Sequence, residues 1–126
     1  MKARGFTLLE VLVALGIFAV VAASVLTLAQ RSVQNAARLE AKTLAMWVAD
    51  NRLVELQLQG EAAGIGQAQG EVHLANRTWL WQSLVEPAAE PLQRKISIWV
   101  AQAPLKDASI EDAALAFMLG SLEVRP

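Results

Sequence analysis

Glu10 is a carboxylate at the front edge of an apolar segment, and its position is the main chemical signal in this sequence. The nineteen residues that follow it, 11–29, carry no charged side chain. A carboxylate in a membrane-spanning helix costs about 3 kcal/mol at the bilayer centre and less near its edge. We therefore expect Glu10 to pair with a cation, because pairing offsets the cost of desolvating the carboxylate.

Other side chains that could do chemistry are few. His73 is the single histidine, and the sequence has no cysteine to join it in a metal site. Asp107, Glu111 and Asp112 match no calcium-loop spacing and are typical of a solvated turn. The sequence contains no recognisable Ser-His-Asp set, phosphate-binding loop or pair of carboxylates at catalytic spacing. The sequence therefore predicts no catalytic residue, no metal site and no cofactor, and a protein that is not an enzyme.

Residues 11–29 are long enough to cross a bilayer as one helix, at about 1.5 Å per residue against roughly 30 Å of hydrocarbon. Lys2 and Arg4 precede this segment, and the next positive charge is Arg31. Lys and Arg gather on the cytoplasmic side of a membrane span. We expect a single span with a cytoplasmic N-terminus and an exported C-terminal part.

Three interpretations of this N-terminus compete. A cleaved secretory signal would use residues 22–24 (Ala-Ala-Ser) as its cleavage site, but Glu10 inside the apolar core argues against it. An ordinary membrane anchor explains the length and orientation but leaves Glu10 unexplained. The third is a class III leader: residues 5–10, Gly-Phe-Thr-Leu-Leu-Glu, resemble the G-F-T-L-x-E box of type IV pilins and type II secretion pseudopilins.

This resemblance implies that a prepilin peptidase cleaves after Gly5 and methylates the new N-terminal residue, Phe6. Glu10 then lies one helical turn from the Phe6 amine, on the same helix face. In a stack of axially offset helices, Glu10 of one subunit meets the amine of its neighbour, and each charge neutralises the other in a low-dielectric setting. Glu10 is therefore expected to set the register of assembly.

A single helix is predicted from Phe6 to Gln59. No glycine or proline occurs between Ala29 and Gln59, and Gly60 provides a natural C-terminal stop. Residues 6–29 are expected in the membrane, and the second half of the helix should pack on a sheet. Apolar residues recur in this half at helical spacing, with one asparagine among them: Leu44, Trp47, Val48, Asn51, Val54 and Leu58.

Residues 44–56 resemble the W-V-A-x-N-x-L-x-E-L stretch of the minor pseudopilin I family of type II secretion systems. The stripe around Trp47 and Asn51 has two interpretations: a core stripe packed on a sheet, or a helix surface that contacts another pseudopilin. We expect the core role for Trp47. For residues one helix face away we expect partner contact, because a tip subunit must offer some helix surface; these are Arg38, Ala45 and Arg52.

After the helix, the glycines of residues 61–70 predict a linker, and the apolar period then changes from about 3.6 to 2. Strands are predicted around 71–74, 79–84 and 95–100, with a turn at Asn76-Arg77 and a loop between Pro87 and Pro91. Trp79 and Trp81 should share one strand face. For the last segment, residues 109–112 (Ser-Ile-Glu-Asp) look like a helix capping box, whereas the family resemblance favours a fourth strand over Ala114–Leu119.

Together these patterns predict an α+β, pilin-like fold, with a long N-terminal helix packed on a small antiparallel sheet of three or four strands. The expected divisions are a leader (1–5), a membrane and assembly helix (6–29) and a periplasmic domain (30–126). A net charge of −1 gives no sign of nucleic-acid binding.

The resemblance implies a minor pseudopilin of the inner membrane that joins a pseudopilus tip complex. Its implied partners are minor pseudopilins J and K, the major pseudopilin and prepilin peptidase. A minor pilin of a type IV pilus, or a membrane-anchored periplasmic binding module, are the alternatives.

Overall fold

The computed structural model describes residue 5 and residues 7–124. They form one long helix, α1 (Leu8–Gln59), a short 3-10 turn (Gly60–Ala63) and four strands. The strands are β1 (Gly66–Leu74), β2 (Arg77–Pro87), β3 (Gln93–Gln102) and β4 (Ala116–Glu123). They pair antiparallel in the order β1-β2-β3-β4. The α+β, pilin-like prediction is confirmed, with a sheet of four strands.

The described chain divides into two compact units between Arg38 and Leu39, and α1 contributes residues to both. In the first unit, α1 is long and apolar enough to cross a membrane by length and composition. Its large apolar side chains, such as Leu12 and Phe18, are exposed. A helix that presents apolar side chains all round its surface suits lipid rather than water.

The ends of α1 follow from the residues that flank it. The helix begins at Leu8, two residues later than predicted, because Thr7 caps it. Phe6 lies outside the described residues. The helix ends at Gln59 as predicted, and Gly60 follows with a φ of 58°, a left-handed conformation that glycine adopts without strain.

The predicted linker is too long at its C-terminal end. β1 begins at Gly66, and residues 66–70 pair with 85–81 of β2, so half of the predicted linker belongs to the sheet. Pairing with a buried strand fixes these residues although glycine and glutamine have little intrinsic strand propensity. The turn after β1 is formed by Ala75 and Asn76, with φ values of 54° and 57°, one residue earlier than predicted.

The core of the second unit lies between α1 and one face of the sheet. Ile96, Ile98 and Val100 of β3 are fully buried there, as is Trp79 of β2. The remaining buried apolar residues of this cluster are Leu44, Ala45, Val48, Ala49, Leu56, Val85, Ala116 and Leu122. Two alanines on the helix allow α1 to approach the sheet closely, since a larger side chain at either position would force the layers apart.

The last segment forms the predicted fourth strand, shifted to Ala116–Glu123. The capping signal at Ser109 is also present, because its Oγ accepts a hydrogen bond from the Asp112 N–H at 3.1 Å. That signal produces a single turn, 110–113, and no helix. Pairing of β4 with β3 therefore outweighs the local helix propensity.

Gly70 and Gly120 give a prediction about packing. A Cβ at Gly70 would clash with the indole ring of Trp81, whereas a Cβ at Gly120 would meet Cδ1 of Leu53, the end of a flexible side chain. We expect Gly70→Ala to lower the free energy of unfolding by about 1–3 kcal/mol, and Gly120→Ala to lower it by less, because leucine can rotate away and indole cannot. Urea denaturation of both variants checks this; an equal or larger loss in Gly120→Ala would contradict it.

Candidate assembly sites on the helix

The N-terminus of α1 is closed by a reciprocal pair of hydrogen bonds. The backbone N–H of Glu10 donates to Oγ1 of Thr7 at 3.1 Å, and the Thr7 N–H donates to Oε2 of Glu10 at 3.3 Å. This is a capping box, which satisfies two of the four N–H groups that a helix leaves unpaired at its start. Sequence reasoning missed Thr7, although the Thr-x-x-Glu spacing carries the signal.

Glu10 is therefore held by its own subunit and is also exposed at the helix surface. Its carboxylate has two oxygens, and the cap uses Oε2. The other oxygen stays available to a cation from outside the chain, which a carboxylate can accept in addition to a backbone donor. Of the processing residues, Gly5 is exposed outside the helix, and Phe6 and the leader residues 1–4 lie outside the described part of the chain.

The predicted stripe in the second half of α1 is split by the structure. Leu44 and Val48 are buried against the sheet, at 7% and 3% exposure. Trp47 is 58% exposed, Val54 is 45% exposed, and Asn51 is also exposed. The prediction that Trp47 belongs to the core is therefore wrong.

The reason is the angular spread of the stripe around the helix. At about 100° per residue, Ala45 and Trp47 are separated by about 160°. Ala45 and Ala49 are fully buried and mark the sheet-facing side of α1, so Trp47 must point away from the sheet. Four side chains share this exposed side, and we call them the outer helix face: Trp47, Asn51, Val54 and Leu58.

The residues expected on a partner-facing side are also misplaced. Ala45 has no exposed surface, and the side chain of Arg52 is only 16% exposed. The Arg52 guanidinium lies 4.1 Å from the ring centroid of Trp81, and its Nη1 is 3.0 Å from Oε2 of Glu55. Arg52 is thus occupied within its own unit. Arg38 is exposed.

The remaining polar candidates serve local structure. Nδ1 of His73 lies 3.1 Å from Oγ1 of Thr78 in an exposed pair. Oε1 of Glu111 accepts a 2.7 Å hydrogen bond from the side-chain amide of Gln82, which is buried on the sheet. This bond ties the segment between β3 and β4 to the sheet.

A long apolar helix with a capped N-terminal glutamate, continuing into a four-stranded antiparallel sheet, defines the pilin-like class of proteins. Residues 1–26 match the family described as the prokaryotic N-terminal methylation motif. Residues 39–116 match the family described as type II secretion system (T2SS), protein I.

Individual relatives agree with the second match. The chain is 55% identical to the type II secretion system protein I of Pseudomonas aeruginosa over 99% of this chain and 98% of the relative. It is 34% identical to the protein of the same name in Aeromonas hydrophila, over 87% of this chain and 92% of the relative. For the Escherichia coli protein of that name the identity is 39%, over 78% and 80%. The chain belongs to the type II secretion system protein I family.

Proposed function

We propose that this chain is a minor pseudopilin that joins the tip complex of a type II secretion pseudopilus and supports the export of folded proteins. The observation that carries the proposal is full-length similarity to proteins named type II secretion system protein I, together with the methylation motif. An exposed glutamate at the start of the apolar helix and an exposed apolar helix face suit a subunit that assembles with others.

The proposed topology places residues 6–29, which include the first part of α1, in the inner membrane, with the N-terminus in the cytoplasm and the domain of residues 30–126 in the periplasm. Lys2 and Arg4 before the apolar segment support this orientation, because short cytoplasmic segments are enriched in Lys and Arg. The chain acts by assembly and performs no catalysis of its own. Its proposed partners are minor pseudopilins J and K and the major pseudopilin.

The outer helix face is the proposed contact surface for another pseudopilin. Trp47 is a large exposed apolar side chain, Val54 and Leu58 lie further along the same helix face, and tryptophan is enriched at protein contacts. Asn51 lies in the same stripe and supplies an amide that can hydrogen-bond across the contact. Leu44 and Val48 lie beneath this surface and hold α1 on the sheet.

Gly5 gives a prediction about processing. The resemblance of residues 5–10 to the pilin leader box implies cleavage after Gly5, and a peptidase that approaches the backbone closely favours a residue without a side chain. We expect Gly5→Leu to leave uncleaved precursor in the membrane, whereas Gly5→Ala is cleaved more slowly. Mass spectrometry of the wild-type protein should give N-methylated Phe6 as the first residue. A mature chain that begins at Met1 or near Ser24 would contradict this.

The experiment that tests the proposed function is deletion of this chain from a secreting cell, with complementation. Deletion should trap exported proteins in the periplasm, and the wild-type chain should restore their release. A strain that secretes normally but loses surface pili would favour the type IV pilus alternative instead.

A further inference from the structure

The outer edge of β1 is an open row of backbone hydrogen-bonding groups. The Ala103 N–H donates to the Thr78 carbonyl, so the N–H and C=O groups of Thr78 point towards β3. Those of the next residue, Trp79, therefore point towards β1. Trp79 pairs with Val72, so the N–H and C=O groups of Val72, and of every second residue of β1 from it, point towards β2. The backbone groups that point away from the sheet are those of Gln67, Gln69, Glu71 and His73.

Natural proteins protect such edges with proline, lysine, bulges or a covering segment. β1 has no proline and no lysine, and its pairing with β2 runs from Gly66 to Leu74 without a bulge. The opposite edge of the sheet differs, because the Gln57 side chain donates to the Ser121 carbonyl of β4. Among the residues that the structure describes, no comparable hydrogen bond covers β1.

Two pockets lie beside this edge, between β1 and α1. One, of about 130 Å³, is lined by Val48, Val72, Leu74 and Trp81 and by the polar residues Asn51, Arg52 and Glu55. The other, of about 140 Å³, is lined by residues that include Ala68, Ser83 and Val85 and the polar residues Arg52, Gln59 and Gln67. Ala68 and Val72 are four residues apart, or about 13 Å along a strand. Two side chains four residues apart on an added strand would therefore reach both pockets.

The described part of the second unit carries a net negative charge. Residues 39–124 contain eleven Asp and Glu against six Lys and Arg. Glu71 lies in the middle of β1 with a 55% exposed side chain, whereas Glu55 of α1, at the rim of the first pocket, is already paired with Arg52. A strand that paired with β1 would gain from a Lys or Arg beside Glu71, since opposite charges on neighbouring strands stabilise the pairing.

We propose that the open edge of β1 pairs with an extended segment of a neighbouring pseudopilin, which carries aliphatic residues four apart and a basic residue between them on the opposite face. Backbone hydrogen bonds then give affinity and the two pockets give specificity. The neighbour is chosen by continuity: Asn51 belongs to the outer helix face and also lines the first pocket. A subunit docked on that face would also lie next to the first pocket, which Val72 and Leu74 of β1 line. The inference rests on the proposed function for its partner.

The test uses the full-length chain in secreting cells, with single cysteines introduced into a sequence that has none. Each cysteine is labelled with benzophenone maleimide, irradiated, and its products are identified by mass spectrometry. His73→Cys probes the β1 edge, Asp50→Cys, exposed one helical turn from Trp47, probes the margin of the outer helix face, and Lys106→Cys on an exposed loop is the control. We expect His73→Cys to label an extended segment of another pseudopilin, with labelling well above that of the control.

Two matched pairs of variants then test the pairing in the His73→Cys background. Gln67→Pro removes an outward N–H and should lower labelling about fivefold, the value of one net hydrogen bond, whereas Gln67→Thr should not. Glu71→Lys should lower labelling, whereas Glu71→Gln should lower it less. If Gln67→Pro disturbs the fold, it should also lower the labelling obtained from Asp50→Cys, and the comparison of Glu71→Lys with Glu71→Gln then decides.

The outcomes separate the two proposals. If Asp50→Cys labels a pseudopilin while His73→Cys labels only a second copy of this chain, an exported protein or nothing, the edge proposal is overturned and the proposed function stands. Equal labelling within both matched pairs also overturns it. If neither cysteine labels a pseudopilin, the proposed function fails as well.

Discussion

Replacing Glu10 with leucine is expected to leave at least the normal amount of protein in the inner membrane and to abolish secretion. Insertion improves because a carboxylate that is costly in the apolar segment is gone. Assembly fails because the amine of a neighbouring subunit loses its counter-ion in a low-dielectric setting. Membrane fractionation and the amount of exported protein in the medium measure the two effects separately.

The capping box supplies matched controls for this result. Glu10→Gln keeps an oxygen that can accept the Thr7 N–H but removes the charge, and we expect it to fail as Glu10→Leu does. Thr7→Val keeps the charge but loses the Oγ1 acceptor of the Glu10 N–H, at a cost of about 1 kcal/mol to the helix start. We expect Thr7→Val to retain most secretion. The reverse order would show that Glu10 acts as a helix cap and not as an ion-pair partner.

Two tryptophan substitutions are expected to have opposite effects. Trp79 is fully buried, and its Nε1 donates to the Leu74 carbonyl at 3.2 Å. Trp79→Ala should therefore lower the free energy of unfolding by about 3–5 kcal/mol. Trp47 is 58% exposed, so Trp47→Ala should cost less than about 1 kcal/mol. It should nevertheless prevent binding to the neighbouring pseudopilin, because a central exposed tryptophan often carries much of a contact.

Thermal melts and pull-downs on the same variants decide between these roles. Leu39→Ala, an exposed leucine at the start of the second unit, is a control for loss of apolar surface alone. A large loss of stability in Trp47→Ala would show that its ring packs within this chain. Normal binding of Trp47→Ala, Val54→Ala and Leu58→Ala would move the partner surface to the sheet or its loops.

Strong local patterns predicted most of the fold. The absence of glycine and proline between Ala29 and Gln59 indicated the helix, Gly60 indicated its end, and alternation indicated the buried face of Ile96, Ile98 and Val100. The start of β1 was missed because Gly66 and Gln67 join a strand only through pairing with Val85 and Leu84. Such pairing is not visible in the propensity of the residues themselves.

The helix face was mispredicted for a related reason. Trp47 and Val48 are adjacent and both apolar, so size and hydrophobicity favour tryptophan as the core residue. The structure instead buries two small residues, Ala45 and Ala49, because close approach of helix and sheet needs small side chains at the contact. Glu10, in contrast, stands out from the sequence alone, since a charge in an apolar segment needs a partner; its role in assembly stays a prediction.

The most direct test of the central proposal is purification of the processed chain, tagged after Pro126, from membranes of a secreting cell after mild crosslinking. The proposal predicts a chain that begins at N-methylated Phe6, recovered with other pseudopilins of the same secretion system and lost from that complex in Glu10→Leu. Recovery of the chain alone, or with the same neighbours in wild type and Glu10→Leu, would contradict it.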